Sequence, residues 1–238
     1  MNVFNPNSGK IGGYSETDGT IDFYSRINCL INQESIVLDF GAGRGIWFED
    51  KCEYRKNTRL LKNKVKILYG CDIDKAVLSN KSVNEALLLK DLKLDLPNNY
   101  FDLIVADYVL EHIANPESFK NEINRLLKPG GWFCARTPHK YNLVSIFASL
   151  IHSKYHKYFL RYVQPNRFEE DIFPTVYKLN TRRKLNTIFF GFIDKSFIHR
   201  SDPSYFFGNK LIYFMQKYIF RMLPAPFVGN LFIFKQKI

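Results

Sequence analysis

Cysteine is scarce and unpatterned here: four in 238 residues, with no CxxC pair and no metal-ligand spacing. That excludes a cysteine-built zinc site and a disulfide framework. Cys71 and Cys134 lie in apolar runs that read as strands, where a free thiol is a small core residue, while Cys29 and Cys52 stand apart. The pattern predicts a reducing, cytoplasmic setting. No run of 18 apolar residues exists, so no transmembrane helix is expected. The first residues, Met1-Asn2-Val3-Phe4-Asn5-Pro6, show no basic segment leading into an apolar one, so no secretory signal is visible. Internal repeats and low-complexity tracts are absent too, which excludes solenoid architectures.

What is present is ample apolar content, 46%, enough for one sizeable core. The length fits one domain, or one domain carrying an inserted cap. The net charge of +11 is unevenly placed. From His139 onward there are 16 Lys/Arg against 5 Asp/Glu, whereas the first 138 residues hold 18 of each. All the surplus positive charge lies in the C-terminal part, where it calls for an acidic partner.

Residues 1–19 read as a flexible lead-in, and Thr20 to Ile31 as a helix. A short buried strand, Ile36 to Phe40, runs into a glycine-rich turn, and Gly45 to Tyr54 is expected to follow as a helix. The basic stretch Lys51 to Lys66 reads as a solvated face or loop. A second strand, Val65 to Cys71, ends in Asp72-Ile73-Asp74, with a helix from about Lys75. A weak third strand lies near Ala86 to Leu89 and a fourth at Phe101 to Ala106. Pro116 opens a helix through Leu127, which Lys128-Pro129-Gly130-Gly131 should stop, and Trp132 to Ala135 makes a fifth strand. Strands alternating with helices at this spacing predict an α/β fold with a parallel sheet and helices on both faces. Ligands then bind beyond the carboxyl ends of the strands.

The residues at those ends are informative. In Asp39-Phe40-Gly41-Ala42-Gly43-Arg44-Gly45, alternating glycines let the backbone turn tightly and approach a ligand with no Cβ in the way. A helix N-terminus behind them would offer free N–H groups to an anion. The turn is neither a GxGxxG fingerprint, since Ile46 stands where the third glycine would be, nor a P-loop. Asp72 can accept both hydroxyls of a ribose, as an acidic residue at this place does in nucleotide-binding α/β folds. The competing reading is a helix cap, which suits Asp74 better.

A third stretch runs Leu96-Pro97-Asn98-Asn99-Tyr100-Phe101-Asp102, then Asp107-Tyr108-Val109-Leu110-Glu111-His112, then Leu127-Lys128-Pro129-Gly130-Gly131. With Val37 to Gly45 and Gly70 to Asp74, it resembles the successive motifs of class I S-adenosylmethionine-dependent methyltransferases. The likeness is to the small-molecule group with a Leu-Glu-His turn, and covers about residues 20–138. It implies a Rossmann-like, seven-stranded, mostly parallel sheet with one antiparallel C-terminal strand and a helical cap insertion. It further implies S-adenosylmethionine as cofactor, its methionine end surrounded by Asp39, Gly41, Ala42 and Gly43. Asp72 would hold the ribose, Ile73 would pack on the adenine, and Asp91 would meet the adenine amino group, though its offset from Leu96-Pro97 is one residue longer than usual. Asp107 would face the methionine moiety or the transferred methyl.

An acceptor that loses a proton benefits from a nearby base. His112 is the candidate, against the reading that Glu111-His112 merely caps or packs the turn before Pro116. No metal is expected, although in some related O-methyltransferases a similar turn helps hold one. His139 follows the fifth strand where the family commonly has Asn; it reads as a substrate contact or base, or as an exposed loop histidine.

The C-terminal hundred residues carry the acceptor question. About fifty residues separate the fifth strand from the next strand-like run, Gly191 to His199, and residues 139–190 are expected to form a substrate cap. They include an apolar helix near Leu143 to Ile151, an aromatic-basic stretch from His152 to Tyr162, and an acidic turn at Glu169 to Thr175. Ser204 to Met222 reads as an amphipathic helix whose apolar stripe is expected to be core; the alternative is an anionic membrane surface, giving a peripheral membrane contact. Leu231 to Phe234 should be the last strand, antiparallel beside Gly191 to His199. Nucleic acid is disfavoured, because the tract matches no recognition module. The predicted activity is methyl transfer to a small-molecule acceptor, at an oxygen of a saccharide or lipid-linked envelope precursor, with acidic or phosphorylated forms suiting the basic region. The alternative is a non-catalytic cofactor-binding homologue acting as a membrane- or RNA-associated scaffold.

Overall fold

The computed structural model describes residues 4–143, 146, 175–203 and 206–238. β1 (Ile36–Phe40) pairs in parallel with β2 (Ile67–Asp72) on one side and β4 (Phe101–Asp107) on the other. β3 (Glu85–Leu88) extends the sheet beyond β2, and β5 (Leu127–Pro138) beyond β4, both in parallel. β8 (Gly229–Lys237) runs antiparallel to β5. Its other edge takes β6 (Phe192–Asp194) and β7 (Phe197–Arg200) in succession, as one strand interrupted at residues 195–196. The eight segments thus fill seven positions, with β8 antiparallel to its neighbours, as the motif pattern predicted.

Two cores flank the sheet. On one face α1 (Gly19–Asn28) buries Phe23, Tyr24 and Ile27 against Val37, Val105, Cys134 and Phe232. Asp18 starts α1 by accepting from the Thr20 and Ile21 amides. On the opposite face α3 (Pro116–Leu126) buries Phe119, Ile123 and Leu126, and α4 (Arg182–Ile188) buries Leu185 and Ile188. Asn115 caps α3 and Pro116 occupies its first turn, where a missing N–H costs nothing. Lys128-Pro129-Gly130-Gly131 does not stop the helix but begins β5. α3 has already ended at Leu126, and Gly130 takes a left-handed φ of 78° inside the strand's opening.

Three expectations are corrected. The helix expected over Gly45 to Tyr54 is a 3-10 turn, Ile46–Glu49, followed after a break by α2 (Glu53–Arg59). Asp50 is extended there, its carboxylate accepting from the Cys52 amide and the Arg55 guanidinium. Likewise a 3-10 turn, Lys75–Ser79, stands where a helix was expected after Asp74. The basic run Lys51 to Lys66 is not simply a solvated face, because Arg55 reaches Asp18 and Asp50, and Arg59 reaches Asp107.

A further correction concerns α5 (Lys210–Met222). Its apolar stripe is not core: only Tyr213 is buried, while Leu211, Phe214, Met215, Tyr218, Ile219 and Met222 are exposed. A short α6 (Ala225–Val228) leads into β8. The helix expected near Leu143 to Ile151 lies outside the described residues apart from Leu143 and Ile146, as do the aromatic-basic stretch and, up to residue 174, the acidic turn. No helix of the described residues is long and apolar enough to cross a membrane.

Candidate functional site

The glycine turn is stitched to the end of β2. The Gly41 and Ala42 amides donate to the Cys71 carbonyl at 2.7 and 3.0 Å. Gly41 has φ 81°, and a Cβ there would lie 2.3 Å from Val109 Cγ2, so backbone and space both demand glycine. The Gly43 amide donates to Asp72 Oδ2 at 2.9 Å, and the Asp74 amide to Asp72 Oδ1 at 3.0 Å. Asp74 in turn caps the following turn through the Ala76 amide. Buried Asn80 braces the loop, its amide donating to the Ala42 and Gly43 carbonyls at 3.1 and 2.9 Å. Nothing in the sequence pattern singled out Asn80.

Parallel pairing brings the ends of β1, β2 and β4 together, and with them Asp39, Asp72 and Asp107. Burial pushes the Asp39 carboxyl up to about 7, with Asp107 and Asp72 adding to the shift and Arg59 opposing it. The Asp39 main chain is paired within the sheet, but no hydrogen bond among the described residues reaches its carboxylate. Burial would raise Asp107 too, but Arg136 and then Arg59 outweigh it and hold that carboxyl below the usual range. Ile73 is 61% exposed beside Asp72, free to cover a planar ring. Asp91 is exposed on a loop at φ 51°, two residues beyond Leu89, whose amide bonds the Asp72 carbonyl.

The cluster around Asp107 was not anticipated. Arg136, buried at the end of β5, engages both Asp107 oxygens and donates to Thr20 Oγ1 at 2.9 Å. Its guanidinium lies 4.8 Å from the centre of the Tyr108 ring. Arg59 reaches Asp107 Oδ2 at 3.0 Å and stacks over Tyr24 and Trp47 at 5.3 and 5.2 Å. Tyr24 donates to the same oxygen at 3.1 Å. Two guanidiniums face Asp107, and Arg59 also acts on Asp39, so the cations here are matched by the carboxylates of Asp39, Asp72 and Asp107. Instead of facing a ligand alone, Asp107 is enclosed by these groups. Tyr108 beside it holds a left-handed φ of 58° while 41% exposed, a strained residue at the ligand-facing edge. A lone arginine just past the apolar run Trp132 to Ala135 was the available signal for Arg136; Arg59 was hidden inside a charge run.

His112 ends a 3-10 turn, Leu110–His112, and is half-buried. Glu111 points inward, accepting from Thr137 Oγ1 at 2.8 Å, while its carbonyl accepts from Val176. Among the described residues no three His, Cys, Asp or Glu side chains converge on a metal position. His139 is not an exposed loop residue but buried, and burial lowers its pKa. Its Nδ1 accepts from the Tyr141 amide at 3.2 Å, and its ring also bonds the Pro226 carbonyl. With its ring so engaged it ties the end of β5 to α6. Beside it opens a cleft of about 500 Å³ lined by Lys140, Tyr141, Tyr177, Lys178, Thr181 and Lys184, among others.

Comparison with known proteins agrees with this geometry. Residues 38–135 match the model of a family described as a methyltransferase domain. A ubiquinone biosynthesis O-methyltransferase of Chromobacterium violaceum is 28% identical over 127 residues, covering 47% of this chain and 47% of that protein. The chain thus spans about half the length of this curated relative. Among solved structures, an S-adenosylmethionine-dependent methyltransferase of Mesorhizobium loti superposes with TM-score 0.55 at 15% identity, covering 93% of this chain and 100% of that one. A putative methyltransferase of Haloferax volcanii, solved with the Trm112 activator, does so with TM-score 0.56 at 15% identity, covering 92% and 94%. These structural likenesses establish the fold.

Proposed function

We propose that residues 38–135, which match the methyltransferase-domain model, form a class I, S-adenosylmethionine-dependent domain, and that the whole chain transfers methyl from that cofactor to an oxygen of a small acidic acceptor. A saccharide or lipid-linked precursor bearing a carboxylate or phosphate is the class of acceptor that fits. The observation that carries the reading is Asp39: a carboxyl raised to about 7, without a hydrogen-bond donor among the described residues, beside a turn with no room for a side chain at Gly41. Arg59 only partly offsets that rise, and S-adenosylmethionine brings two further cations, an ammonium and a sulfonium.

The cofactor supplies an already activated methyl group, so the protein's task is alignment and proton management. Asp39 would hold the methionine end, and the Gly41-Ala42-Gly43 turn, whose amides already bond Cys71 and Asp72, would give it room. Asp72, already fixed by the Gly43 and Asp74 amides, has lone pairs left for ribose hydroxyls, and Ile73 would cover the adenine. Asp91 stands at the outer rim, a place consistent with the adenine amino group. Arg136 and Arg59 keep Asp107 ionised. Lys140, Lys178 and Lys184 line the neighbouring cleft, and their charge favours an anionic acceptor. His112 is the group to take the acceptor proton; His139 supports the edge structurally. Of the cap expected over 139–190, α4 belongs instead to the core flanking the sheet, and residues 147–174 lie outside the described residues; the setting would be cytoplasmic.

Calorimetric titration with S-adenosylmethionine tests the reading, with Asp72→Ala as control. Micromolar binding by the parent and at least tenfold weaker binding by the variant are expected. No binding by the parent would refute it. Binding without turnover on any acidic acceptor would favour a non-catalytic homologue, a reading to which the enclosed Asp107 lends some weight.

A further inference from the structure

Helix α5 presents a continuous apolar stripe to the outside. Leu211, Phe214, Met215, Tyr218, Ile219 and Met222 recur at helical spacing, with Leu211 78%, Tyr218 66% and Met222 73% exposed. Phe207 and Phe227, also exposed, flank the two ends. The helix is nonetheless firmly placed. Asn209 caps it through the Leu211 and Ile212 amides. Tyr213, on the inner side, packs between Phe4 and Phe206. Arg200 binds the carbonyls of Phe220 and Leu223 at its C-terminal end. An ordered helix with six large exposed apolar side chains is a docking surface rather than a loose segment.

Charge identifies the occupant. From Pro203 to Ile238 the sequence contains no aspartate or glutamate, yet five lysines and arginines. Lys210, Lys217 and Arg221 are on α5 itself. A second copy of this helix would set those cations against one another with no acid on the segment to compensate. A nucleic acid would use stacked aromatics along a basic groove, whereas only Phe214 and Tyr218 of this stripe's six side chains are aromatic. We propose that α5 lies in the headgroup region of an anionic lipid bilayer, its stripe inserted and its three cations among the lipid phosphates. The inference stands on exposure and charge alone and does not depend on methyl transfer.

Sedimentation of the full chain with vesicles tests it, using phosphatidylcholine alone and phosphatidylcholine with one-third phosphatidylglycerol. Three basic residues near an anionic surface give a preference of about a hundredfold for the anionic vesicles. Two variants separate the contributions: Leu211→Ser/Met215→Ser/Tyr218→Ser removes insertion, and Lys210→Glu/Arg221→Glu reverses charge. Each should reduce anionic-vesicle binding by about tenfold or more, with a thermal midpoint like the parent's, since all five side chains are exposed. Equal binding to both vesicle types, or undiminished binding by the triple-serine variant, overturns the proposal. So does a dimer in sedimentation velocity that this variant dissolves, which would assign the stripe to a second copy.

Discussion

Replacing Asp39 by asparagine should make the cofactor-free protein more stable and the cofactor bind worse. The carboxyl ordinarily titrates at 3.8, and burial, with Asp107 and Asp72 nearby, raises it to about 7. Because the folded state holds this proton to higher pH than the unfolded chain does, stability is highest below about pH 4. It falls as pH rises towards 7 and is level above. The full shift corresponds to about 4 kcal/mol at 1.36 kcal/mol per unit. Solvent screening at a half-buried site reduces this to about 1–2 kcal/mol. Asparagine is close in shape to the protonated acid and carries no charge. At pH 8 Asp39→Asn should therefore melt roughly 2–8 °C above the parent, at about 2–4 °C per kcal/mol for this size; at pH 5 the difference should be far smaller. With S-adenosylmethionine the order reverses: the parent should bind at least about tenfold more tightly at pH 8, an ionic hydrogen bond contributing about 1.5–3 kcal/mol. Parent affinity should weaken as pH falls through 7. Scanning calorimetry from pH 5 to 8, with titration calorimetry at both ends, measures all of this. A variant that melts at or below the parent at pH 8 refutes the electrostatic reasoning, and undiminished affinity refutes the assignment of Asp39 to the cofactor.

Arg136→Met should destabilise the fold by about 3–5 kcal/mol, since it leaves Asp107 buried with half its compensation. Arg59→Met, at a more open position, should cost clearly less, which urea unfolding of both would show. Gly41→Ala should cost about 2–4 kcal/mol from its left-handed backbone and the Val109 clash. Adding Val109→Ala should restore only the steric part; full restoration would mean that φ carries no strain. His112→Asn should lower kcat and flatten its pH profile once an acceptor is known, whereas His139→Asn should change the melting temperature more than kcat.

Much of the site was legible from residue types at strand ends. A parallel sheet places its ligand edge at the carboxyl ends, so Asp39, Gly41, Gly43 and Asp72 could be picked out from a strand followed by a special residue. Helix lengths were less legible. Asp50 and the left-handed Gly45 break what periodicity alone would continue as one helix, and this is decided by competing side-chain hydrogen bonds. Arg59 and the apolar stripe of α5 misled for a common reason. A charge run can turn inward if it meets a buried carboxylate, and a helical stripe can face outward if the core is already filled.

The sequence by itself determined the sheet, the glycine turn and the acid that follows β2, because these rest on local backbone geometry and on short-range pattern. Only the tertiary structure decided which charges meet. Asp107 and Arg136 are 29 residues apart, and Arg59 is farther still from Arg136. Parallel pairing of β4 with β5 and the docking of α2 bring them into one buried cluster. It also decided which face of α5 stays uncovered, since a stripe becomes core only where other elements leave apolar surface to meet it.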